Sequence, residues 1–265
     1  MPEITQYAPG NFCWFELGTS DAAAAKKFYG EVFGWTAHDS PAGPDMIYTM
    51  LQLDGKDVGA LYQLTEQHKS QGVPPHWLTY VSVANADESA AKAKELGATV
   101  ALEPFDVMDV GRMALVQDPL GAMFAIWQAR KHIGARVKGE PNSLCWSELW
   151  TTDTDKAAKF YTGLFGWGTK TDTGTMPYTE FSNEGMSIGG MLKIMPDMGP
   201  VPPNWLGYIA VEDCDATANK AKAQGAKITM PPTDIPNVGR FSVIQDPQGA
   251  VFAIIKLNLT GHAPS

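Results

Sequence analysis

Alternation of apolar and polar residues predicts the elements at the start of the chain. Residues 11–19, NFCWFELGT, alternate in the way that is typical of a strand. Residues 20–34, SDAAAAKKFYGEVFG, then place apolar residues at helical spacing. Ser20 or Asp21 is expected to cap this helix at its N-terminus, and Gly34 is expected to end it.

The pattern continues with strands and one further helix. Residues 46–64 predict two strands joined at Asp54-Gly55, a strong hairpin signal. A strand at 77–85 and a helix at 86–97 follow, and three more strands are predicted at 98–104, 111–119 and 121–128. We interpret the order as β-α-β-β-β, written twice.

The chain repeats this whole arrangement. Residues 13–35 return as residues 145–167 with thirteen of twenty-three positions identical, and 74–83 and 106–127 return as 202–211 and 234–255. A period near 130 residues is too long for a solenoid, whose units have roughly 20–50 residues. The prediction is therefore a tandem of domains: an N-terminal arm (1–10), a first module (11–129), a linker (130–141), a second module (142–257) and a C-terminal tail (258–265).

Composition narrows the class of protein. Of 265 residues, 44% are hydrophobic and 18% charged, which is typical of a globular chain. A net charge of −9 disfavours nucleic acid as a partner. There is no apolar run long enough for a membrane span and no leader pattern, and the three cysteines form no CxxC. We expect a cytoplasmic protein that acts on small molecules.

Two repeated motifs carry a resemblance to a known family. The segments TSDAAAAKKFYGEVFGW and GRMALVQDPLGAMFAIW, with their counterparts in the second copy, are similar to the vicinal oxygen chelate superfamily, which includes glyoxalase I, bleomycin-resistance proteins and extradiol dioxygenases. The resemblance implies an α+β fold. Each of two tandem modules would consist of two βαβββ halves that form a curled, cup-like mixed sheet with flanking helices.

The resemblance also implies where a metal would be held. Metal-using members of the superfamily place three ligands inside each cup, and the matching positions here hold Trp14, Leu78 and Ala125 in the first module and Trp146, Leu206 and Ala253 in the second. A divalent metal needs imidazole or carboxylate donors, which these side chains lack. No cofactor is therefore expected, although a divalent metal remains a disfavoured possibility.

Two carboxylates are candidates for other chemistry. Alternation along a strand places Glu16 on the face of Trp14, and Glu148 on the face of Trp146. Each carboxylate is expected either to bond to backbone amides or to an Arg, or to contact a ligand or transfer a proton. A displaced metal site built from Glu16 and His76 is a further alternative, but the second module has Asn204 instead of His76.

Aromatic residues are predicted to line the cups and bind a ligand. Such rings stack on planar or apolar molecules, and the alternative is that they simply fill the cup as core. The predicted lining is Phe12, Trp14, His76, Tyr80 and Trp127 in the first cup, and Trp146, Trp150 and Tyr208 in the second.

Three functions follow from these expectations. The first is a metal-independent, glyoxalase/bleomycin-resistance-like protein that binds a small aromatic or apolar molecule. The second is an enzyme of the superfamily, a glyoxalase-type lyase or isomerase or an oxygenase, that uses a displaced metal or acid–base work by Glu16 or Glu148. The third is a structural or interaction module with filled cups. A small-molecule partner is expected, without nucleic acid or membrane, in a monomer with paired modules or a homodimer.

Overall fold

The computed structural model describes residues 3–43, 46–174 and 177–258, and these form two modules of the same architecture. The first module consists of β1 (Phe12–Thr19), α1 (Ala22–Phe33), β2 (Thr36–Gly43), β3 (Met46–Leu53), β4 (Lys56–Gln63), α2 (Glu66–Ser70), β5 (His76–Ser82), α3 (Ala86–Glu95), β6 (Thr99–Val107), β7 (Gly111–Gln117) and β8 (Met123–Ala129). The second consists of β9 (Leu144–Thr151), α4 (Thr154–Phe165), β10 (Gly168–Asp172), β11 (Tyr178–Asn183), β12 (Met186–Lys193), a 3₁₀ turn (Pro196–Met198), β13 (Asn204–Ala210), α5 (Cys214–Ala223), β14 (Lys227–Ile235), β15 (Gly239–Gln245) and β16 (Val251–Leu257).

Each module forms one eight-stranded mixed sheet whose two halves meet at the centre. The strand order is β2-β3-β4-β1-β5-β8-β7-β6 in the first sheet and β10-β11-β12-β9-β13-β16-β15-β14 in the second. In the first module the first strands of the two halves, β1 and β5, pair antiparallel. Each also pairs in parallel with the last strand of its own half, β1 with β4 and β5 with β8. The predicted α+β fold, with two βαβββ halves in each tandem module, is confirmed.

Two of the edge strands, β2 and β10, are elements that the hydrophobic pattern did not indicate. β2 has the sequence TAHDSPAG and is exposed over almost its whole length, and β10 is exposed at every residue. An edge strand that lies in solvent on both faces needs no alternation of apolar and polar residues. Its pairing with β3 or β11 is therefore visible only in the assembled sheet.

The predicted caps of the first helix are confirmed. Asp21 accepts a hydrogen bond from the Ala24 backbone N at 2.9 Å, and Gly34 ends α1 with a φ of 73°. A left-handed residue at this position costs glycine little, because it has no Cβ to collide with the preceding turn. Asp153 and Gly166 repeat both features in α4.

The helices of each module pack against the other module. α1 contacts α5 and α3 contacts α4, so that the first half of each module lies against the second half of the other. Two buried clusters fill these contacts. One includes Phe15, Tyr29, Trp35, Trp77, Ile209, Phe252 and Ile254, and the other includes Phe12, Val81, Phe124, Ile126, Tyr161, Trp167 and Trp205.

A hydrogen-bonded chain crosses each of these clusters from one module to the other. Trp205 Nε1 donates to the Tyr161 hydroxyl at 2.9 Å, and this hydroxyl donates to Oδ2 of Asp118 at 2.9 Å. The other carboxylate oxygen of Asp118 accepts from the backbone N of Leu120 and of Ala122 and so holds its own turn. The reciprocal chain runs from Trp77 through Tyr29 to Asp246, with distances of 2.9 and 2.8 Å.

These chains explain two repeated motifs in one step. The Phe-Tyr pair of the first helix and the Asp-Pro turn of the second half lie far apart in sequence, yet they meet across the contact between modules. Both polar ends are buried, so each needs its partner. The motifs therefore maintain the pairing of the modules and do not belong to a ligand site.

Removing one hydroxyl from this contact tests its contribution. Tyr161→Phe leaves the buried Asp118 oxygen and the Trp205 indole without a partner, so we expect the free energy of unfolding to fall by about 1–3 kcal/mol. Tyr29→Phe should have a similar effect through the reciprocal chain. Urea denaturation followed by circular dichroism measures both.

Tyr62→Phe is the matched control, because the Tyr62 side chain is partly exposed and its hydroxyl makes no hydrogen bond to the part of the chain that the structure describes. An equal loss of stability in all three variants would contradict the assignment.

Candidate functional site

The face of each sheet that is turned away from the helices forms a separate cluster, and we call these clusters the first cup and the second cup. The first cup includes Cys13, Trp14, Leu78, Tyr80, Ala125 and Trp127, together with the partly buried Tyr48, Met50 and Met113. The second cup includes Leu206, Tyr208, Val243, Ala253 and Ile255, together with the partly buried Cys145, Trp146, Trp150, Met230 and Phe241.

The three positions at which the superfamily holds a metal do meet inside each cup. Trp14, Leu78 and Ala125 belong to one cluster, as expected from their places on adjacent strands. Indole and alkyl side chains offer no lone pair to a divalent cation, so the residues present do not fit a metal. Within residues 3–43, 46–174 and 177–258, no three His, Cys, Asp or Glu side chains are grouped closely enough to hold one elsewhere.

Glu16 lies at the bottom of the first cup, between two tyrosines. Its Oε2 accepts from the Tyr48 hydroxyl at 2.5 Å, and its Oε1 accepts from the Tyr80 hydroxyl at 2.9 Å. Trp14 Nε1 donates to the same Tyr48 oxygen at 3.0 Å. Both oxygens of the carboxyl group thus have a protein donor, and neither donor is the backbone amide or Arg that the sequence suggested.

Glu148 occupies the same place in the second cup, with a different set of donors. Its Oε1 accepts from Trp150 Nε1 at 2.7 Å and from the Tyr208 hydroxyl at 2.8 Å. Trp146 Nε1 donates to the Tyr178 hydroxyl at 2.9 Å, as Trp14 does to Tyr48. The two cups therefore share one design, and Trp150 is an addition, since the first module has Gly18 at this position.

Burial sets the protonation of both carboxyl groups. Removal from water raises the pKa of Glu16 above its usual range, and the hydrogen bonds from Tyr48 and Tyr80 offset only part of this effect. The pKa of Glu148 is raised for the same reason, against hydrogen bonds from Trp150 and Tyr208 and a looser contact with the Tyr178 hydroxyl. A carboxyl group in such a place can hold a proton nearer to neutral pH than an exposed one.

The prediction that Phe12 lines the first cup is wrong. Phe12 pairs with Val81 and Trp14 pairs with Tyr80, so the register shifts by one residue between them. This bulge turns Phe12 to the helix side, where its ring lies 5.1 Å from that of Trp205 in the other module. Simple alternation along the strand cannot reveal such a shift.

A matching register shift occurs in the second module, and in both modules simple alternation along the strand would place the cysteine, Cys13 or Cys145, on the helix side. Cys13 and Cys145 lie with the cups instead, and their Sγ atoms contact the carbonyl oxygens of Tyr80 and Tyr208. Burial raises the pKa of each thiol to about 12. Both thiols are therefore neutral and unsuited to act as nucleophiles.

His76 lies at the rim of the first cup. Its Nδ1 is 2.8 Å from the Pro74 carbonyl oxygen, and a Cβ added to Gly18 would lie 3.1 Å from its ring. Burial lowers the pKa of the imidazole. The proposed pairing of His76 with Glu16 would supply only two donors, fewer than a metal site requires.

The linker covers the first cup. The backbone N of Ala135 donates to the Cys13 carbonyl at 2.8 Å, and Trp127 Nε1 donates to the His132 carbonyl at 2.9 Å. The His132 ring packs edge-on against Trp14 with the ring centres 4.6 Å apart. Gly134 permits this approach, because a Cβ there would lie 2.2 Å from the Cys13 carbonyl oxygen and its φ is +114°.

The cover makes the two cups unequal. Trp14 is only 3% exposed, whereas its counterpart Trp146 is partly exposed, and so is Trp150. Two surface depressions of about 320 and 250 Å³ lie outside both cups, beside Leu64 and Lys69 and beside Glu212 and Lys220. The aromatic face of the second cup is therefore less covered than that of the first.

Arg112 and Arg240 belong to ion pairs. The Arg112 guanidinium binds both oxygens of Asp87 at 2.7 and 2.8 Å and also contacts Asp106. Arg240 repeats the arrangement with Asp215 and Asp234. These side chains hold the helix of each second half to its sheet and face no cup.

Sequence reasoning missed several members of the cups, and three of them, Tyr48, Tyr178 and His132, contact the carboxyl groups or Trp14. Tyr48 and Tyr178 stand on predicted strands, and they occupy matching places in the two copies, so that the repeat held a signal for them. His132 had no comparable signal. It lies in the linker, and only the folded chain brings it to Trp14.

Comparison with known proteins identifies the family. The model of the Glyoxalase/Bleomycin resistance protein/Dioxygenase superfamily matches residues 12–126 and 142–254, so the chain belongs to this superfamily. It is 39% identical over 259 residues to the protein named "Putative glyoxylase CFP32" of Mycobacterium tuberculosis, over 97% of this chain and 98% of the relative. It is 36% identical over 269 residues to the anthracycline biosynthesis protein DnrV of Streptomyces peucetius, over 96% of each chain.

Solved structures support the fold alone. The Mn(II)-bound glyoxalase from Novosphingobium aromaticivorans matches with a TM-score of 0.65 at 18% identity, over 96% of this chain and 86% of that one. The 2,2',3-trihydroxybiphenyl 1,2-dioxygenase of Sphingomonas wittichii matches with a TM-score of 0.65 at 13% identity, over 97% and 98%. In the described part of the chain, no helix has the length and apolar character needed to cross a membrane.

The raised pKa of Glu16 predicts a pH dependence of stability. The folded state favours the neutral form of the Glu16 carboxyl group. The contribution of this group to the free energy of unfolding is therefore complete below its pKa in the unfolded chain, about 4.3, and it is lost as the pH rises through the higher pKa of the folded state. Glu16→Gln removes this loss. We expect the wild type to lose stability relative to Glu16→Gln as the pH is raised from 4 to 8, measured by denaturant titration.

The same substitution at the exposed Glu66 provides the background for this comparison. A wild-type curve that runs parallel to that of Glu16→Gln over the whole range would contradict the assignment.

Proposed function

We propose that this protein binds a small, planar, apolar molecule against the aromatic lining of a cup, without the metal that other members of the superfamily use. The single observation that carries the proposal is the composition of the ligand positions. Trp, Leu and Ala meet where a metal would need imidazole or carboxylate groups, and the surrounding rings offer stacking surface in its place.

The polar groups of the cups support a binding role. Small-molecule sites are mostly apolar and carry a few polar groups that orient the ligand. In each cup a single carboxyl group, Glu16 or Glu148, lies among aromatic side chains and is held by tyrosine hydroxyls. The rest of the lining is indole, thioether and alkyl surface.

The name of one relative agrees with a planar ligand or with its modification. One relative is named for anthracycline biosynthesis, and anthracyclines are flat, fused aromatic compounds that bear hydroxyl groups. Another is named a glyoxylase. A binding protein for an aromatic metabolite and an enzyme that acts on one would need the same stacking surface.

An enzymatic function is the second candidate, and the buried carboxyl groups favour it. A general acid or base needs a pKa near the working pH, and burial raises the pKa of Glu148 in that direction. Tyr178 and Tyr208 lie beside it, and the Tyr208 hydroxyl donates a hydrogen bond to Glu148 Oε1. Such an enzyme would be a glyoxalase-type lyase or isomerase that works by acid–base chemistry at Glu148 or Glu16.

Filled cups, the third candidate, describe the first module better than the second. His132 and Ala135 occupy space over Trp14 and Trp127 that a ligand would need. No comparable contact covers Trp146 or Trp150 in the described residues. The proposal is therefore that the chain binds a ligand, without the two cups contributing equally.

A thermal-shift experiment tests the proposed function. We expect 2-hydroxyanthraquinone and 2-naphthol to raise the melting temperature by the same amount with and without EDTA, because ligand binding to the folded state alone stabilises it. Metal analysis of the purified chain should find substoichiometric Zn, Ni, Mn and Fe. A stoichiometric metal, or a shift that disappears with EDTA, would overturn the proposal.

A further inference from the structure

The two cups differ at one polar position, and this difference bears on which of them works. In the first cup the Tyr48 hydroxyl binds Glu16 Oε2 directly, and Tyr80 binds Oε1. Both acceptor oxygens of that carboxyl group are therefore engaged by the protein. A ligand in the first cup would have to break one of these buried hydrogen bonds, which is costly.

In the second cup the corresponding carboxyl group, that of Glu148, has one oxygen that is less engaged. Trp150 and Tyr208 both donate to Oε1 of Glu148, and among the described residues Oε2 receives no hydrogen bond. Tyr178, the counterpart of Tyr48, lies close enough for its hydroxyl to help lower the pKa of Glu148, but this contact is looser than the 2.5 Å hydrogen bond between Tyr48 and Glu16. Glu148 Oε2 and the Tyr178 hydroxyl are therefore both available to hydrogen-bond a ligand.

The aromatic rings around these two polar groups are also accessible to a ligand. Trp146 and Trp150 are partly exposed, whereas Trp14 is buried under His132 and position 18 is a glycine without a side chain. Trp150 is therefore both a wall of the second cup and the donor that draws Oε1 of Glu148 to one side. Within the residues that the structure describes, aromatic surface and a carboxylate oxygen without a donor coincide only in the second cup.

We infer that the second cup is the working site, and that it selects a planar aromatic molecule bearing a hydroxyl group. The ring lies against Trp146 and Trp150. The ligand hydroxyl donates to Glu148 Oε2 and accepts from the Tyr178 hydroxyl, completing the contact that Tyr48 makes directly to Glu16 in the first cup. The first cup, closed by the linker, serves the structure. This inference rests on the proposed binding function.

A hydroxyl group is selected because it can both donate and accept. A methoxy group in the same place accepts only, so it leaves Glu148 Oε2 without a donor in a site that has been emptied of water. A site built to hydrogen-bond a ligand hydroxyl rejects an analogue without it, because its own polar groups then remain unpaired. The difference should appear as selectivity between two otherwise similar molecules.

Isothermal titration calorimetry with 2-naphthol and 2-methoxynaphthalene tests the inference on the full chain. The wild type should bind one equivalent of 2-naphthol and should bind 2-methoxynaphthalene about tenfold or more weakly, a factor that corresponds to about 1.4 kcal/mol. Glu148→Gln keeps an acceptor for Trp150 and Tyr208 but replaces Oε2 by a donor. It should abolish most of the preference between the two molecules.

Two further variants keep the test decisive. Tyr178→Phe retains the ring and should also reduce the preference, even if Glu148→Gln folds poorly. Glu66→Gln is the matched control at an exposed position outside both cups and should leave both affinities unchanged. Glu16→Gln makes the same change in the first cup and shows whether that cup takes part in binding.

The possible failures can be told apart. Equal binding of the two naphthalenes, two equivalents of 2-naphthol bound, or a loss in Glu16→Gln in place of Glu148→Gln would overturn the assignment of the second cup and leave the binding function standing. If neither molecule binds the wild type, the proposed function falls together with this inference.

Discussion

The buried contact between the modules is the interaction on which the rest of the structure depends. Each sheet needs a cover for the face that carries its helices, and in this chain that cover is completed by the other module. The two Trp–Tyr–Asp chains give this apolar contact a unique register, because a buried carboxylate tolerates only a partner at hydrogen-bond distance. With the helix faces used up in this way, the concave faces are left as the places where a ligand can bind.

Duplication placed two equivalent cups in one chain, and later differences made them unequal. The linker that joins the modules runs back over the first cup and adds His132 and Ala135 to it. Position 18 is glycine in that cup, while position 150 is tryptophan in the other. The shared network of a carboxyl group, two tyrosines and an indole shows the common design, and the open side of Glu148 shows where the copies diverged.

The pattern along the chain was sufficient for the fold because local and tertiary requirements agree there. The capping residues Asp21 and Gly34 indicated where α1 begins and ends. The repeated motifs indicated the order of the other strands in both modules. The same logic failed at β2 and β10, whose residues lie in solvent on both faces and so carry no alternation. It also failed at Phe12, where a bulge of one residue reversed the face.

What the sequence determined by itself is the tandem α+β architecture, the side chains at the positions of the usual metal ligands, and the presence of Glu16 and Glu148 on the cup side of their strands. Tertiary structure decided what those carboxyl groups bind, since Tyr48, Tyr80 and Trp150 reach them by strand pairing and not by a recognisable motif. It also decided that His132 closes one cup only. The physical reason is that hydrogen-bond partners and steric cover depend on distances between strands and loops, which no local periodicity records.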